Sequence, residues 1–117
     1  MSKSLTMTSL AVGALEEKKA NAIKVIGIEK VSVIADYFVI ASGTNKLQVQ
    51  AMADEVEEIL GKAGYEPKHI EGYLNGNWIL MDYGDVVLHL FDEENRVFYD
   101  LERIWRDGEE IPLDSLK

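Results

Sequence analysis

Two aspartates and one glycine-containing junction are the features of this 117-residue chain best suited to catalysis. Asp82 and Asp85 lie on either side of Gly84, and carboxylates of this kind can hold Mg²⁺. Ser42-Gly43-Thr44 follows a strand pattern and precedes a helix pattern, so it could direct a helix N-terminus toward phosphate. Together these residues would suit a Mg²⁺-dependent nucleotide-binding or nucleotidyltransferase-like enzyme, which is the alternative interpretation of the sequence.

Other features of the sequence argue against that enzyme. There is no Gly-x-x-x-x-Gly-Lys run, and Asp82 and Asp85 are separated by a turn rather than alternating on one strand face. The two histidines, His69 and His89, lack the helical spacing of metal ligands, and the chain has no cysteine. No serine occupies a Gly-x-Ser-x-Gly motif. We therefore predict no catalytic residue, no metal site and no cofactor.

The aromatic residues indicate recognition instead. Six of the ten aromatics, including both tryptophans, lie between residues 78 and 105, among many carboxylates. A large amphipathic aromatic beside acidic side chains is typical of a docking surface for a basic partner. Tyr99 beside Asp100 suits an Arg or Lys, through a cation–π contact or a charge-assisted hydrogen bond. The alternative for these carboxylates is a solvated helix face.

Composition narrows the class of protein further. The formal net charge is −9, and 47% of the residues are hydrophobic, which predicts one folded domain. An acidic chain lacks the basic patch that neutralises phosphates, so we expect no direct sequence-specific nucleic-acid binding. An acidic surface does suit a basic protein. No apolar run reaches the ~18 residues of a membrane span, so we expect no membrane association and a cytoplasmic protein.

Hydrophobic periodicity predicts helices alternating with strands. The predicted helices cover 8–20 and a segment that starts at Asn45 and stops at Gly61; the predicted strands cover 23–28, 37–41, 66–71, 78–83 and 85–91. Asn45 is the predicted N-cap of the second helix, supported by Gln48 three residues later. Residues 1–7 are predicted to be a flexible leader, 8–106 the domain and 107–117 a polar tail.

Residues 78–91 are predicted to form an antiparallel hairpin that turns at Gly84. Period-two alternation assigns one face to the core: Ile79, Met81, Val86, Leu88 and Leu90. The opposite face mixes apolar bulk with a carboxylate and an imidazole: Trp78, Leu80, Asp82, His89 and Phe91. Either Trp78 docks a partner, or a C-terminal helix within 92–105 covers this face and Trp78 is core. Trp105 has helical spacing from Phe98 and Leu101, which favours packing over partner contact.

A series of motifs extends across most of the chain. In order, they are Ala35-Asp36-Tyr37-Phe38-Val39-Ile40, Ser42-Gly43-Thr44, Glu71-Gly72, Trp78-Ile79-Leu80-Met81-Asp82-Tyr83-Gly84-Asp85-Val86-Val87-Leu88-His89-Leu90-Phe91 and Arg96-Val97-Phe98-Tyr99-Asp100-Leu101-Glu102-Arg103-Ile104-Trp105. In this order and spacing they resemble the ribosomal silencing factor family, also called Iojap-like. The resemblance runs from about Ala20 to Trp105.

The resemblance implies a fold, a partner and a contact surface. The fold is a single α/β domain with a mixed five-stranded sheet and flanking helices, similar in topology to nucleotidyltransferases but without their activity. The partner is the large ribosomal subunit, bound through a basic ribosomal protein at the subunit interface. Binding there blocks joining of the subunits and represses translation when nutrients are scarce. Family members often self-associate, so a homodimer is a possible state. The implied contact residues are Trp78, Asp82 and Tyr99, with Leu101 and Glu102 added.

Overall fold

The structure is a computed structural model that describes residues 3–30, 33, 35–93 and 108–116. Its helices are α1 (Lys3–Glu17) and α2 (Lys46–Lys62), and a short 3-10 helix spans Leu113–Leu116. Its strands are β1 (Asn21–Gly27), β2 (Tyr37–Gly43), β3 (His69–Glu71), β4 (Trp78–Asp82), β5 (Val86–Asp92) and β6 (Glu109–Ile111). No helix in these ranges is long and apolar enough to cross a bilayer.

The described strands form one mixed sheet in the order β3-β4-β5-β2-β1-β6. β2 and β5 pair in parallel at its centre, and every other neighbouring pair is antiparallel. Both central strands are buried along nearly their whole length, as the continuous apolar run at 37–41 predicted. Parallel neighbours cannot be joined by a tight turn, so α2, β3 and β4 connect them. The predicted α/β class and single domain are confirmed, with six described strands rather than five.

The sixth strand corrects the prediction of a polar tail at the C-terminus. Residues 109–111 pair with β1, placing Ile111 opposite Val25. Further on, Leu116 is buried, and its carbonyl accepts a hydrogen bond from the Ser9 hydroxyl. β6 supplies backbone partners to β1, which would otherwise be an edge strand. The sequence did not indicate this strand because Glu-Glu-Ile lacks the composition of a typical strand.

The N-terminus also departs from the prediction, because the expected leader is part of α1. Ser4 and Met7 are buried, and Met7 extends the apolar stripe of Ala11 and Leu15 by one turn toward the N-terminus. The helix ends at Glu17 rather than at Ala20. The amide of Ala20 donates to the Leu15 carbonyl and that of Lys19 to Glu16, a Schellman arrangement with Lys19 left-handed at φ 58°.

The two helices pack on one face of the sheet. Their buried residues form one core with the inward side chains of β4 and β5: Met7, Ala11, Leu15, Val49, Met52, Val56, Leu60, Ile79, Met81, Leu88 and Leu90. A second cluster occupies the opposite face of the sheet: Ile26, Ile28, Ala35, Phe38, Ile40, Val87 and Phe91, with Trp78 and Leu80 packed against it. Trp78 therefore lies on the face away from both helices.

Candidate partner-binding site

The β4–β5 hairpin places its side chains on the two faces that alternation predicted. Trp78 lies opposite Phe91, Leu80 opposite His89 and Asp82 opposite Val87. Ile79 and Met81 are completely buried on the helix side, whereas Trp78, Leu80 and Asp82 are only partly buried. We call the set Trp78, Leu80, Asp82, His89 and Phe91 the Trp78 face. It combines accessible apolar surface with a carboxylate, which is the chemistry of a protein-docking surface.

Trp78 is held in a defined orientation on this face. Its indole Nε1 donates a hydrogen bond to Nδ1 of His89 at 3.1 Å, and its ring stacks on Phe91 with centroids 5.4 Å apart. Trp78 is thus partly core and partly accessible, between the two alternatives that the sequence left open. An oriented, half-buried tryptophan loses little side-chain entropy on binding, which suits a contact residue.

His89 orients Trp78 on this face but was not among the contact residues predicted from the sequence. It lies diagonally across the strand pair from Trp78 and is 5% exposed. Burial lowers its pKa from 6.5 to about 4, so the imidazole is neutral at physiological pH. Because Nδ1 accepts from Trp78, the proton resides on Nε2. Among the described residues, Nε2 and the Tyr83 hydroxyl are the buried side-chain atoms that lack a hydrogen-bond partner.

The buried imidazole predicts a pH dependence of folding. Between pH 6.5 and about 4 the unfolded chain takes up a proton at residue 89 that the folded chain does not. Stability is therefore fully present above the unfolded pKa and is lost as pH falls toward the folded pKa, by about 3 kcal/mol in all. We expect the free energy of unfolding, measured with denaturant from neutral pH down to about 4, to fall less steeply for His89→Gln than for the parent. Identical slopes for the two chains would contradict the assignment.

Asp82 lies at the turn end of the Trp78 face. Its Oδ1 accepts a hydrogen bond from the Gly84 amide at 2.8 Å, and its Oδ2 is 3.7 Å from Nδ1 of His69. The side chain remains 26% exposed, so the carboxylate is oriented yet reachable. Strand geometry separates Trp78 and Asp82 by about 13 Å, a span that one protein partner can cover. The hairpin therefore places one aromatic and one acidic side chain at opposite ends of β4.

Both aspartates that suggested nucleotide chemistry contribute to the fold, Asp82 through its side chain but Asp85, an exposed residue, through its backbone. Oδ1 of Asp82 closes the hairpin turn, and the backbone carbonyl of Asp85 accepts from the amides of Asp36 and Tyr37. Within residues 3–93 and 108–116, as far as they are described, no three potential metal-ligating side chains lie together.

The N-terminus of α2 is likewise occupied by the chain itself. Asn45 caps it, as predicted, by accepting from the Gln48 amide at 2.9 Å. Gln48 Oε1 accepts from the amide and hydroxyl of Thr44, and its Nε2 donates to the Lys18 and Lys19 carbonyls at the end of α1. These contacts take the place that a phosphate would need at the start of the helix.

Three of the predicted contact residues, Tyr99, Leu101 and Glu102, lie outside the residues that the structure describes. The same holds for the predicted packing of Trp105 and for the helix predicted within 92–105. Of the predicted contact surface, the structure thus places Trp78 and Asp82 on one face of the sheet and adds His89 beside Trp78.

Comparison with known proteins agrees with the motifs. The family model described as "Ribosomal silencing factor during starvation" matches residues 1–117. The ribosomal silencing factor RsfS of Halalkalibacterium halodurans is 38% identical over 94% of this chain and 94% of its own. A mouse protein named mitochondrial assembly of ribosomal large subunit protein 1 is 33% identical over 82% of this chain and 43% of its own.

A solved structure shows that the fold is shared as well. The crystal structure of a Chromobacterium violaceum protein superposes with a TM-score of 0.84 at 33% identity, covering 91% of this chain and 87% of that one. Sequence motifs, the family match and the three-dimensional fold all agree. The chain belongs to the family of ribosomal silencing factors, which is not a class of enzymes.

Proposed function

We propose that this protein binds the large ribosomal subunit through a basic ribosomal protein at the subunit interface. Occupying that surface keeps the small subunit from joining and represses translation under nutrient limitation. The observation that carries the proposal is the oriented Trp78, half-buried on an acidic protein and fixed by His89 and Phe91. The family description and the name of the mouse relative support the ribosome, and its large subunit, as the partner.

The contact surface that we propose joins two described residues to three from the family resemblance. Trp78 supplies the apolar contact and Asp82 the charge that pairs with Arg or Lys. Tyr99, Leu101 and Glu102 complete the surface. The action is steric, without catalysis or a cofactor, and takes place in the cytoplasm. Self-association as a homodimer is a further state, and it competes with ribosome binding if the two share the Trp78 face.

Sedimentation with isolated subunits tests the proposal directly. The protein should pellet with large subunits and remain in the supernatant with small ones. Added before the two are mixed, it should reduce the yield of joined ribosomes. Raising the salt concentration should weaken binding, since exposed charge pairs are screened over about 10 Å at moderate ionic strength.

Two outcomes would contradict the proposed mechanism. Pelleting with small subunits alone would assign a different partner. Undiminished joining in the presence of bound protein would refute the steric mechanism. The nucleotide-enzyme alternative predicts a concentration-dependent rise in melting temperature with nucleotide and Mg²⁺. We expect no such rise, because the Asp82 carboxylate already accepts from the Gly84 amide and the start of α2 is already capped by Asn45.

A further inference from the structure

A groove of about 300 Å³ lies between α1 and α2, on the opposite side of the sheet from Trp78. Its lining includes half-buried or buried apolar side chains, one glycine and two glutamates, with Ser9 beside them: Leu10, Ala14, Ile59, Gly13, Glu17 and Glu55. We call it the α1–α2 groove. Accessible apolar surface bordered by charge is the form that helix-binding grooves take in protein recognition.

Gly13 is a helical glycine for which the fold provides no packing reason. A Cβ added there would meet no atom within 4 Å, so nothing in the described structure requires the missing side chain. Glycine inside a helix costs about 1 kcal/mol relative to alanine. The missing side chain at Gly13 leaves the groove open, so that a side chain or the backbone of another molecule can enter it.

The charges at the groove are available to a partner. The ion pairs in the described ranges involve Glu58, Glu71 and Asp82, and neither Glu17 nor Glu55. Both glutamates are reachable from solvent, and they belong to a chain with a formal net charge of −9. Such a surface attracts a cationic partner and repels a second copy of this chain.

We propose that the α1–α2 groove docks a basic amphipathic helix of a partner protein. One apolar side chain of that helix enters beside Gly13, against Leu10 and Ile59, and its Lys or Arg residues pair with Glu17 and Glu55. The groove and the Trp78 face lie on opposite sides of the sheet, so both can be occupied at once. This second docking surface goes beyond the proposed function and does not depend on it.

Fluorescence anisotropy with a synthetic helix tests the proposal. The probe is a labelled peptide of about 15 residues, near the length at which isolated helices become stable, with Leu on one face and Lys on the other. Gly13→Leu should reduce its affinity at least tenfold by filling the groove, without lowering the melting temperature, because Leu is a better helix former. The matched control is Gly61→Leu in α2, a glycine with equally open space that does not line the groove; it should leave affinity unchanged.

Charge reversal gives a second, independent measurement. Glu17→Lys combined with Glu55→Lys should weaken probe binding more than tenfold. Glu109→Lys combined with Glu110→Lys, which makes the same change in net charge at exposed glutamates of β6 outside the groove, should have little effect. Equal losses for groove and control charges would show general attraction to an acidic protein and would overturn the proposal.

Three further results would also overturn it: no binding of the probe, equal binding by Gly13→Leu and its control, or loss of self-association in Gly13→Leu by analytical ultracentrifugation. The last would identify a second copy as the occupant. Trp78→Ala should retain probe binding in full. Failure here is therefore distinguishable from failure of the proposed ribosome contact, which is measured with subunits and not with the peptide.

Discussion

Trp78→Ala should lower affinity for the large ribosomal subunit by about 30-fold or more while leaving the fold intact. A central aromatic contact is worth at least about 2 kcal/mol, which corresponds to that factor. The ring stacks on Phe91 and packs at the edge of the second cluster rather than inside the helix-side core. Its removal should therefore affect the accessible surface first. Co-sedimentation with large subunits gives the affinity, and circular dichroism the fold.

Two companion variants separate the roles of the indole. Trp78→Phe keeps a ring over Phe91 but removes the donor to His89. Its affinity for the large subunit should therefore lie between those of the parent and Trp78→Ala. Leu47→Ala removes an apolar side chain that is 76% exposed, at the start of α2, and should bind as the parent does. Full affinity in Trp78→Ala would exclude Trp78 as a contact residue.

Gly72→Ala should destabilise the fold by about 2–5 kcal/mol. Gly72 has φ +81°, and a Cβ there would collide with the backbone carbonyl of Trp78. A left-handed backbone costs a non-glycine residue about 1–2 kcal/mol, and moving a packed backbone aside costs a further 1–3 kcal/mol. The displaced atom belongs to Trp78 itself, so subunit binding should weaken along with stability.

Gly64→Ala is the matched control for this prediction. Gly64 has a similar φ of +92°, but a Cβ there would meet nothing within 4 Å. It should show the backbone cost alone, about 1–2 kcal/mol, and keep its affinity for the subunit. The midpoints and slopes of denaturant unfolding give the free energy of unfolding of each variant, and the two losses can then be compared. Equal destabilisation by the two would mean that the loop yields at Gly72 and that Trp78 is not held by it.

Local patterns in the sequence predicted those parts of the fold that depend on near neighbours. Alternation in 78–91 assigned Ile79 and Met81 to the core and Trp78 to the other face, because successive strand side chains point in opposite directions. Asn45 was recognised as a cap because its partner lies only three residues away. The hairpin turn at Gly84 was predicted for the same reason, and the structure shows φ +88° there.

The errors occur where a distant segment decides the outcome. Residues 109–111, two glutamates and an isoleucine, form a strand only because β1 offers an unpaired edge, and Met7 is buried only because it joins the helix-side core. Nothing within a few residues of either segment carries that information. Propensity and periodicity describe a segment by itself, and tertiary contacts override them when they supply enough burial or hydrogen bonding.

The α/β class, the resemblance to ribosomal silencing factors and the two faces of the hairpin could all be predicted before the structure, since they follow from local spacing and residue type. The folded chain was needed to show that Trp78 is half-buried, that His89 accepts its indole hydrogen bond, and that Asp82 closes a turn. The same holds for the groove beside Gly13. These features could not be predicted because burial, cross-strand register and hydrogen-bond partners are set by residues far apart in the chain.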